Sequence, residues 1–384
     1  MAAQNGMHWV GTWTTTPAPT EGHSLNDQTL RMIARISLGG RSLRVRLSNA
    51  CGTRKLEIGA AQVAIRSEGA GIVPGSDRRL TFNGAPSTTI AVGALVVSDP
   101  VELAVPALAD LAVSVHLPGE VREDLPITGH GNAHQTSYIS PPGEFTGANV
   151  LPVKQTTEDF LIVSGVDVLA PAETGGIVTL GDSLTDCNLS KLDANNRWPD
   201  QLARRLTARR AGRMFGVMNQ GIGGNRILHD IRGDSGLKRF DRDVLAQPGV
   251  THVVVLLGIN DIRNRNQKPD EFPTAEQMIN GLNQFALRAH TRGLKIFGGT
   301  LLTYEYETFN PGFYTPEGEA KRQAVNAWIR DGGAFDAVID FEKALRDPGH
   351  PTQMLPIYDC GDHLHPSDRG YLHMGDSIEL SLFD

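Results

Sequence analysis

Four short segments, far apart in the chain, carry residue types that together could perform acyl transfer. The first is Gly181-Asp-Ser-Leu184, in which Ser183 closely follows a short apolar run, Ile177 to Leu180, rich in β-branched side chains. Such a run suits a buried strand, and a serine at its carboxyl end sits where open α/β sheets place their ligands. The chain supplies its own control, because Gly-Asp-Ser occurs three times, at 181–183, 233–235 and 375–377. The second copy lies in a polar stretch with no strand before it. The third, with Ser377, sits in a run where Tyr371, Met374, Ile378 and Leu382 recur at helical spacing. Only Ser183 has strand before it and helix-forming sequence after it.

The second segment is Asn219-Gln-Gly-Ile-Gly-Gly-Asn225. Its glycines let backbone N–H groups approach a ligand closely, but their spacing is not the G-x-G-x-x-G of a dinucleotide site. A flexible turn is the plainer reading of that loop taken alone. The third segment, Gly258-Ile-Asn-Asp261, offers the Asn260 amide to the same crevice. Alternatively, Asn260 closes a turn through its own backbone. The fourth is Asp359-Cys-Gly-Asp-His-Leu-His-Pro366, with Asp362 and His365 three apart. An imidazole acting as base needs a carboxylate to fix its tautomer and stabilise the imidazolium. His363 competes for that role, but a side chain adjacent to Asp362 projects elsewhere, which favours His365.

Present together and in this order, the four blocks resemble the SGNH, or GDSL, hydrolase superfamily. The resemblance covers roughly residues 175–384. Arg197-Trp-Pro-Asp200, Asn326-Ala-Trp-Ile329 and Trp9-Val-Gly-Thr-Trp13 are similar to the branch of bacterial arylesterases and acylhydrolases from xylan-degrading systems, whose members carry an N-terminal β domain. This implies a serine esterase on a flavodoxin-like, three-layer α/β fold with a parallel sheet, using no metal and no other cofactor. By position, Ser183 is then the nucleophile, His365 the general base and Asp362 its orienting carboxylate. The oxyanion hole is formed by the N–H groups of Ser183 and Gly224 and the side chain of Asn260, with Asn225 among the substrate-binding residues. Losing one such donor typically costs ~10²–10³ in kcat. No G-x-S-x-G pentapeptide surrounds Ser183, which argues against the other large class of serine hydrolases. Two cysteines depart from the branch: Cys187 stands where glycine is usual, and Cys360 where a small residue is common. They are expected to be small semi-buried thiols, with a redox-sensitive cross-link as the sharper alternative.

The elements needed to position these blocks are legible. From residue 176 onward apolar strands at Phe215–Met218, Val253–Leu257, Ile296–Leu302 and Ala337–Ile339 alternate with amphipathic helical patterns. Thr274 and Gln277 predict a capping box, Gly293 a stop, and Thr315-Pro316 a further helix start. Such a series implies a parallel sheet. Residues 1–150 predict an all-β sandwich, with alternating runs around Gly39-Gly40 read as a hairpin. Residues 151–175 read as a connection holding one strand, Phe160–Val163, and 176–384 as the hydrolase domain.

The chain's 384 residues, 40% hydrophobic and 21% charged, suit a globular protein of about two domains. A net charge of −7 gives no reason to expect nucleic acid as a partner, and no apolar stretch is long enough to span a membrane. The expected partner is a small-molecule ester. The residue types leave the oligomeric state open. No leader pattern is visible at the N-terminus, so the expectation is cytoplasmic, or secreted if a leader has been removed. His130 and His134 are four apart but lack the glutamate of a zinc-helix motif, so no metal site is read there. Arg204, Arg205, Arg209 and Arg210 read as the solvated face of a helix, and Trp198 as core. Two alternatives remain open: a thioesterase or lysophospholipase with the same triad, and a carbohydrate-binding protein acting through its N-terminal domain.

Overall fold

The computed structural model describes residues 6–209, 212–263 and 268–384. Arg210 and the first five residues lie outside the described residues. The chain separates into two compact units, Met1–Thr174 with Met214–Met218, and Gly175–Arg213 with Asn219–Asp384.

The first unit is built from antiparallel sheets. One contains β1 (Met7–Thr14), β3 (Gly40–Ser48) and β7 (Val163–Pro171), with β7 between the other two. A second contains β2 (Leu25–Arg35), β4 (Ala60–Ile65), β5 (Asp110–Val121) and β6 (Ser137–Pro142), in the order β6-β2-β5-β4. Alternate side chains of both sheets enter one core: Leu30, Met32, Val113 and Val63 from one, Leu43, Val45, Val166 and Val168 from the other. Each such side chain contributes about 1.5–3 kcal/mol by leaving water. The opposite face of the second sheet carries a smaller cluster around Ile33, Ala112 and Tyr138.

The Gly39-Gly40 turn is not a hairpin, because β2 and β3 belong to different sheets. Alternation identifies a strand but not its partner. The glycine is needed here for close approach: a Cβ on Gly39 would lie 2.5 Å from the Val105 carbonyl oxygen. The segment read as a connection carries three strands, Gln155–Thr157, Phe160–Leu161 and β7, all within the first unit.

A five-stranded sheet is formed by β8 (Gly175–Gly181), β9 (Phe215–Gly221), β10 (Val250–Leu256), β11 (Lys295–Gly299) and β12 (Ala337–Ile339), in the order β9-β8-β10-β11-β12; all of it belongs to the second unit except Phe215–Met218 of β9, which is grouped with the first. The pairs β8/β10, β10/β11 and β11/β12 are parallel. Ile177, Val178, Leu180, Val253, Val254 and Leu256 are all buried, as continuous apolar strands covered on both faces require. Two short helices, α1 (Ser183–Asp186) and α3 (Ile259–Arg263), follow β8 and β10. The longer helices are α2 (Trp198–Ala208), α4 (Ala275–Thr291), α5 (Pro316–Asp331) and α6 (Asp368–Ser377). They pack in pairs, α2 with α6 and α4 with α5.

The helix signals act as their residue types dictate. Thr274 accepts from the Gln277 N–H and Gln277 returns a bond to the Thr274 N–H, completing the capping box of α4. Thr315 caps α5 through the Gly318 N–H, with Pro316 in its first turn. Trp198 is fully buried, and its indole N–H donates to the Leu184 carbonyl at 3.1 Å. The arginines of α2 are not merely solvated: Arg205 donates to the carbonyls of Gly375 and Ile378 at 2.6 and 2.7 Å, holding the end of α6.

Candidate active site

β8 delivers Ser183 to the carboxyl edge of the sheet. Gly181 ends the strand where no larger residue fits, since a Cβ there would meet Thr185 Oγ1 at 2.1 Å and the Leu256 carbonyl at 2.5 Å. Asp182 then caps α1 by accepting from the Leu184 N–H at 3.0 Å, and Ser183 becomes the first residue of that helix. Its backbone N–H therefore belongs to the first helical turn, whose donors have no partner within the helix.

His365 reaches Ser183 from the far end of the sequence. Its Nε2 lies 2.9 Å from Ser183 Oγ, and its Nδ1 lies 2.7 Å from Asp362 Oδ2. A carboxylate only accepts, so Nδ1 carries the proton and Nε2 faces the hydroxyl as an acceptor. The other carboxylate oxygen, Oδ1, accepts from the backbone N–H groups of His365 at 2.7 Å and Leu364 at 2.9 Å. Burial works against the Asp362 charge, but the bonds from the His365 ring and these two N–H groups outweigh it. They hold the carboxyl well below its ordinary range. His363, the competing histidine, has a positive φ of 61° and pairs instead with Asp359 at 2.6 Å.

The glycine loop after β9 folds back on itself. Ile222 N–H donates to the Gly181 carbonyl at 3.2 Å, and Asn225 N–H to the Ile222 carbonyl at 3.1 Å. Gly224 takes a φ of +78°, which a side chain would strain. Asn260 donates its amide to the Asn225 carbonyl at 3.1 Å and accepts from Arg263 at 3.2 Å. Ser183 and Asn260 thus lie on the short helices that follow β8 and β10, and Asp362 and His365 on the C-terminal segment. Asn225, read from the resemblance as a substrate-binding residue, requires correction. It is fully buried, its amide nitrogen donates to the carbonyls of Arg232 and Asp234, and its oxygen accepts from Arg239. The side chain is spent on holding the loop.

Several supporting residues had no distinct signal in the sequence. Arg239 is buried and donates to Asn225 Oδ1 at 3.1 Å, to the Gln220 carbonyl at 2.8 Å and to the Gly181 carbonyl at 2.9 Å. It therefore ties the serine block to the glycine loop. Asp261 accepts from the N–H groups of Ile227 at 2.8 Å and Leu228 at 3.3 Å, fastening the start of α3 to the far side of that loop. Burial pushes the carboxyls of both Asp261 and Asp182 up to about 7, with the nearby Asp261 charge adding to the effect on Asp182. Arg263 forms a buried ion pair with Glu307, whose segment runs over the site. The Thr308 N–H donates to the Asp362 carbonyl at 2.9 Å, and the Phe309 ring stands edge-on to His365 with centroids 5.6 Å apart.

Cys187 and Cys360 are free thiols rather than a cross-link. Burial pushes the Cys187 thiol well up. It also pushes Cys360 up to about 12, with the Asp362 and Asp359 charges contributing. Neither is therefore a ready nucleophile. Asp359, Cys360 and Asp362 bring one ligand atom each within 4.8 Å of one another, and a metal could draw on these. Both carboxylates already serve histidines. His130 Nδ1 lies 3.2 Å from the Thr16 carbonyl, and His134 Nδ1 lies 3.8 Å from Glu158.

The profile of the GDSL-like lipase/acylhydrolase family matches residues 179–372. The chain belongs to that family. It is accordingly a hydrolase with carboxylesterase activity. No curated protein matches it. Among solved structures, a GDSL-like lipase from Bacteroides thetaiotaomicron is 17% identical, with 54% of this chain and 87% of the other covered and a TM-score of 0.41. An acetylxylan esterase from Geobacillus stearothermophilus is 20% identical, with 53% and 94% covered and a TM-score of 0.40. No described helix is long and apolar enough to cross a membrane.

Proposed function

We propose that this GDSL-family hydrolase cleaves small carboxylic esters through an acyl-enzyme on Ser183. The observation that carries the reading is the unbroken chain Ser183 Oγ, His365 Nε2, His365 Nδ1, Asp362 Oδ2, with links of 2.9 and 2.7 Å. Ser183 Oγ attacks the ester carbonyl as His365 Nε2 takes its proton. The carbonyl oxygen becomes an oxyanion, received by the N–H groups of Ser183 and Gly224 and by the Asn260 amide. Collapse expels the alcohol, which takes the proton from His365. Water then repeats the sequence and releases the acid. Asp362 stays ionised throughout and stabilises the imidazolium, in keeping with its depressed pKa.

The alcohol departs beside His365, where the Phe309 ring is 59% exposed on the same loop as exposed Tyr306. A ring-bearing leaving group would find an apolar face there, which favours aryl esters and acetylated sugars over long aliphatic alcohols. Gly221, Gly223 and Gly224 leave no room for a Cβ against Asp186, Asn188 and Arg232, which lets this loop pack closely beside the segment that follows Ser183. We read the second unit as the flavodoxin-like three-layer form, supported by its parallel strand pairs and its two helix pairs. The first unit is read as the β-sandwich companion of that catalytic domain.

Replacing Ser183→Ala should abolish hydrolysis of p-nitrophenyl acetate while leaving the thermal transition intact. Retained activity would end the proposal. A panel of aryl acetates, acetylated xylo-oligosaccharides, longer acyl esters and acyl thioesters tests the substrate class. The highest kcat/KM should fall among the acetates.

A further inference from the structure

Arg263 is a buried charge near the site. It is 5% exposed, on the last turn of α3, three residues beyond Asn260. That spacing puts both side chains on one helical face. One arm of its guanidinium donates to Asn260 Oδ1 at 3.2 Å. The other side of the fork engages Glu307, with Nε at 3.1 Å and a second, shorter contact from the terminal nitrogen. Glu307 is likewise 5% exposed, and the Phe313 ring lies 5.3 Å from the guanidinium carbon.

An amide has a donor end and an acceptor end. Here the partners tell them apart: a guanidinium only donates and a carbonyl only accepts. Asn260 Oδ1 is therefore turned to Arg263, and its nitrogen to the Asn225 carbonyl, 3.1 Å away. One of the two amide hydrogens is used by Asn225. The second remains to be aimed. A buried ion pair is a poor device for stability alone, because desolvation offsets much of its attraction. Its position against an amide that must present one hydrogen in one direction gives it another use.

We propose that Arg263, held by Glu307, is a positioning residue that orients the Asn260 amide toward the oxyanion and couples that donor to the 304–313 segment over His365. This rests on the esterase reading above and extends it. The same segment reaches the triad through Thr308 N–H on the Asp362 carbonyl and through Phe309 on His365. Arg263 thus joins the donor side of the site to the base side.

The test uses the full chain with p-nitrophenyl acetate. R263M/E307Q removes both charges together, so neither is left buried alone. Its kcat should fall about 10–100-fold, a part of the ~10²–10³ that loss of an oxyanion donor costs, with KM little changed. The deciding readout is a cycle with N260A: once the amide is gone, R263M/E307Q should cost nothing further. R263K keeps a charge opposite Glu307 but loses the fork. It serves as the second variant if the first does not fold, and should show the same lower kcat and the same non-additivity. Wild-type kcat in these variants, a loss that multiplies with that of N260A, or a wild-type rate in N260A would each overturn the inference. An active S183A protein would instead remove the esterase reading itself.

Discussion

Two histidine–aspartate pairs stand on one loop, and they differ in what encloses them. In the Asp362–His365 pair the histidine side chain is 4% exposed; in the Asp359–His363 pair it is 48% exposed. Both have a short contact from Nδ1 to a carboxylate, 2.7 Å in one and 2.6 Å in the other. Only the first presents its Nε2 to a serine hydroxyl. A histidine–aspartate contact is therefore not by itself a sign of catalysis. Backbone N–H groups hold both carboxylates, those of Leu364 and His365 on Asp362 and those of Gly361 and His363 on Asp359, so what distinguishes the Asp362–His365 pair is its third member, Ser183.

The contrast can be broken by mutation. Asp362→Asn should lower kcat by about 10³–10⁴, as loss of the orienting carboxylate does in other triads, while His363→Asn should leave kcat within about twofold. Steady-state kinetics on both variants decides between the pairs. A reversed pattern would move the base to His363.

A smaller effect concerns stability rather than rate. Asp182 and Asp261 are buried beside the site with carboxyls raised to about 7. The folded chain thus holds these protons more tightly than the unfolded chain. That contribution is fully present below about pH 4, the ordinary aspartate range, and is lost as pH rises through about 7. Asp362 runs the opposite way: its depressed pKa contributes stability above the ordinary range that is lost in acid. Asp182→Asn keeps the oxygen that accepts from Leu184 but cannot ionise. Its melting temperature relative to the parent should therefore rise between pH 5 and pH 8, by about 2–4 °C if the relief is near 1 kcal/mol. Calorimetry at the two pH values checks this, and an unchanged difference would contradict it.

The four blocks were legible because each is local: a strand, a break, and a polar residue at a fixed offset. Thr274 with Gln277 and Thr315 with Pro316 were legible for the same reason. Arg239, Arg263 and Glu307 were not, since the contacts that tie them into the site include partners 14–58 residues away, and their nearer partners, Asp243 for Arg239 and Asn260 for Arg263, carry no distinct signal. Asn225 was misread because position in a motif says nothing about which way a side chain turns, and here it turns inward to Arg239. The Gly39-Gly40 corner shows the same limit in the first unit. Period-2 alternation identified both strands, yet they lie in different sheets, and the corner between them packs against distant backbone at Val105 and Ala107 that alternation does not reveal.

The central claim is that one serine among many is activated. Gly-Asp-Ser occurs at 181–183, 233–235 and 375–377, so the chain carries two built-in comparisons. Treating the protein with a fluorophosphonate and mapping the adduct by peptide mass spectrometry tests the claim directly. A single stoichiometric adduct on Ser183 is expected, with parallel loss of esterase activity and none on Ser235 or Ser377. An adduct elsewhere, or full activity with Ser183 modified, would contradict it.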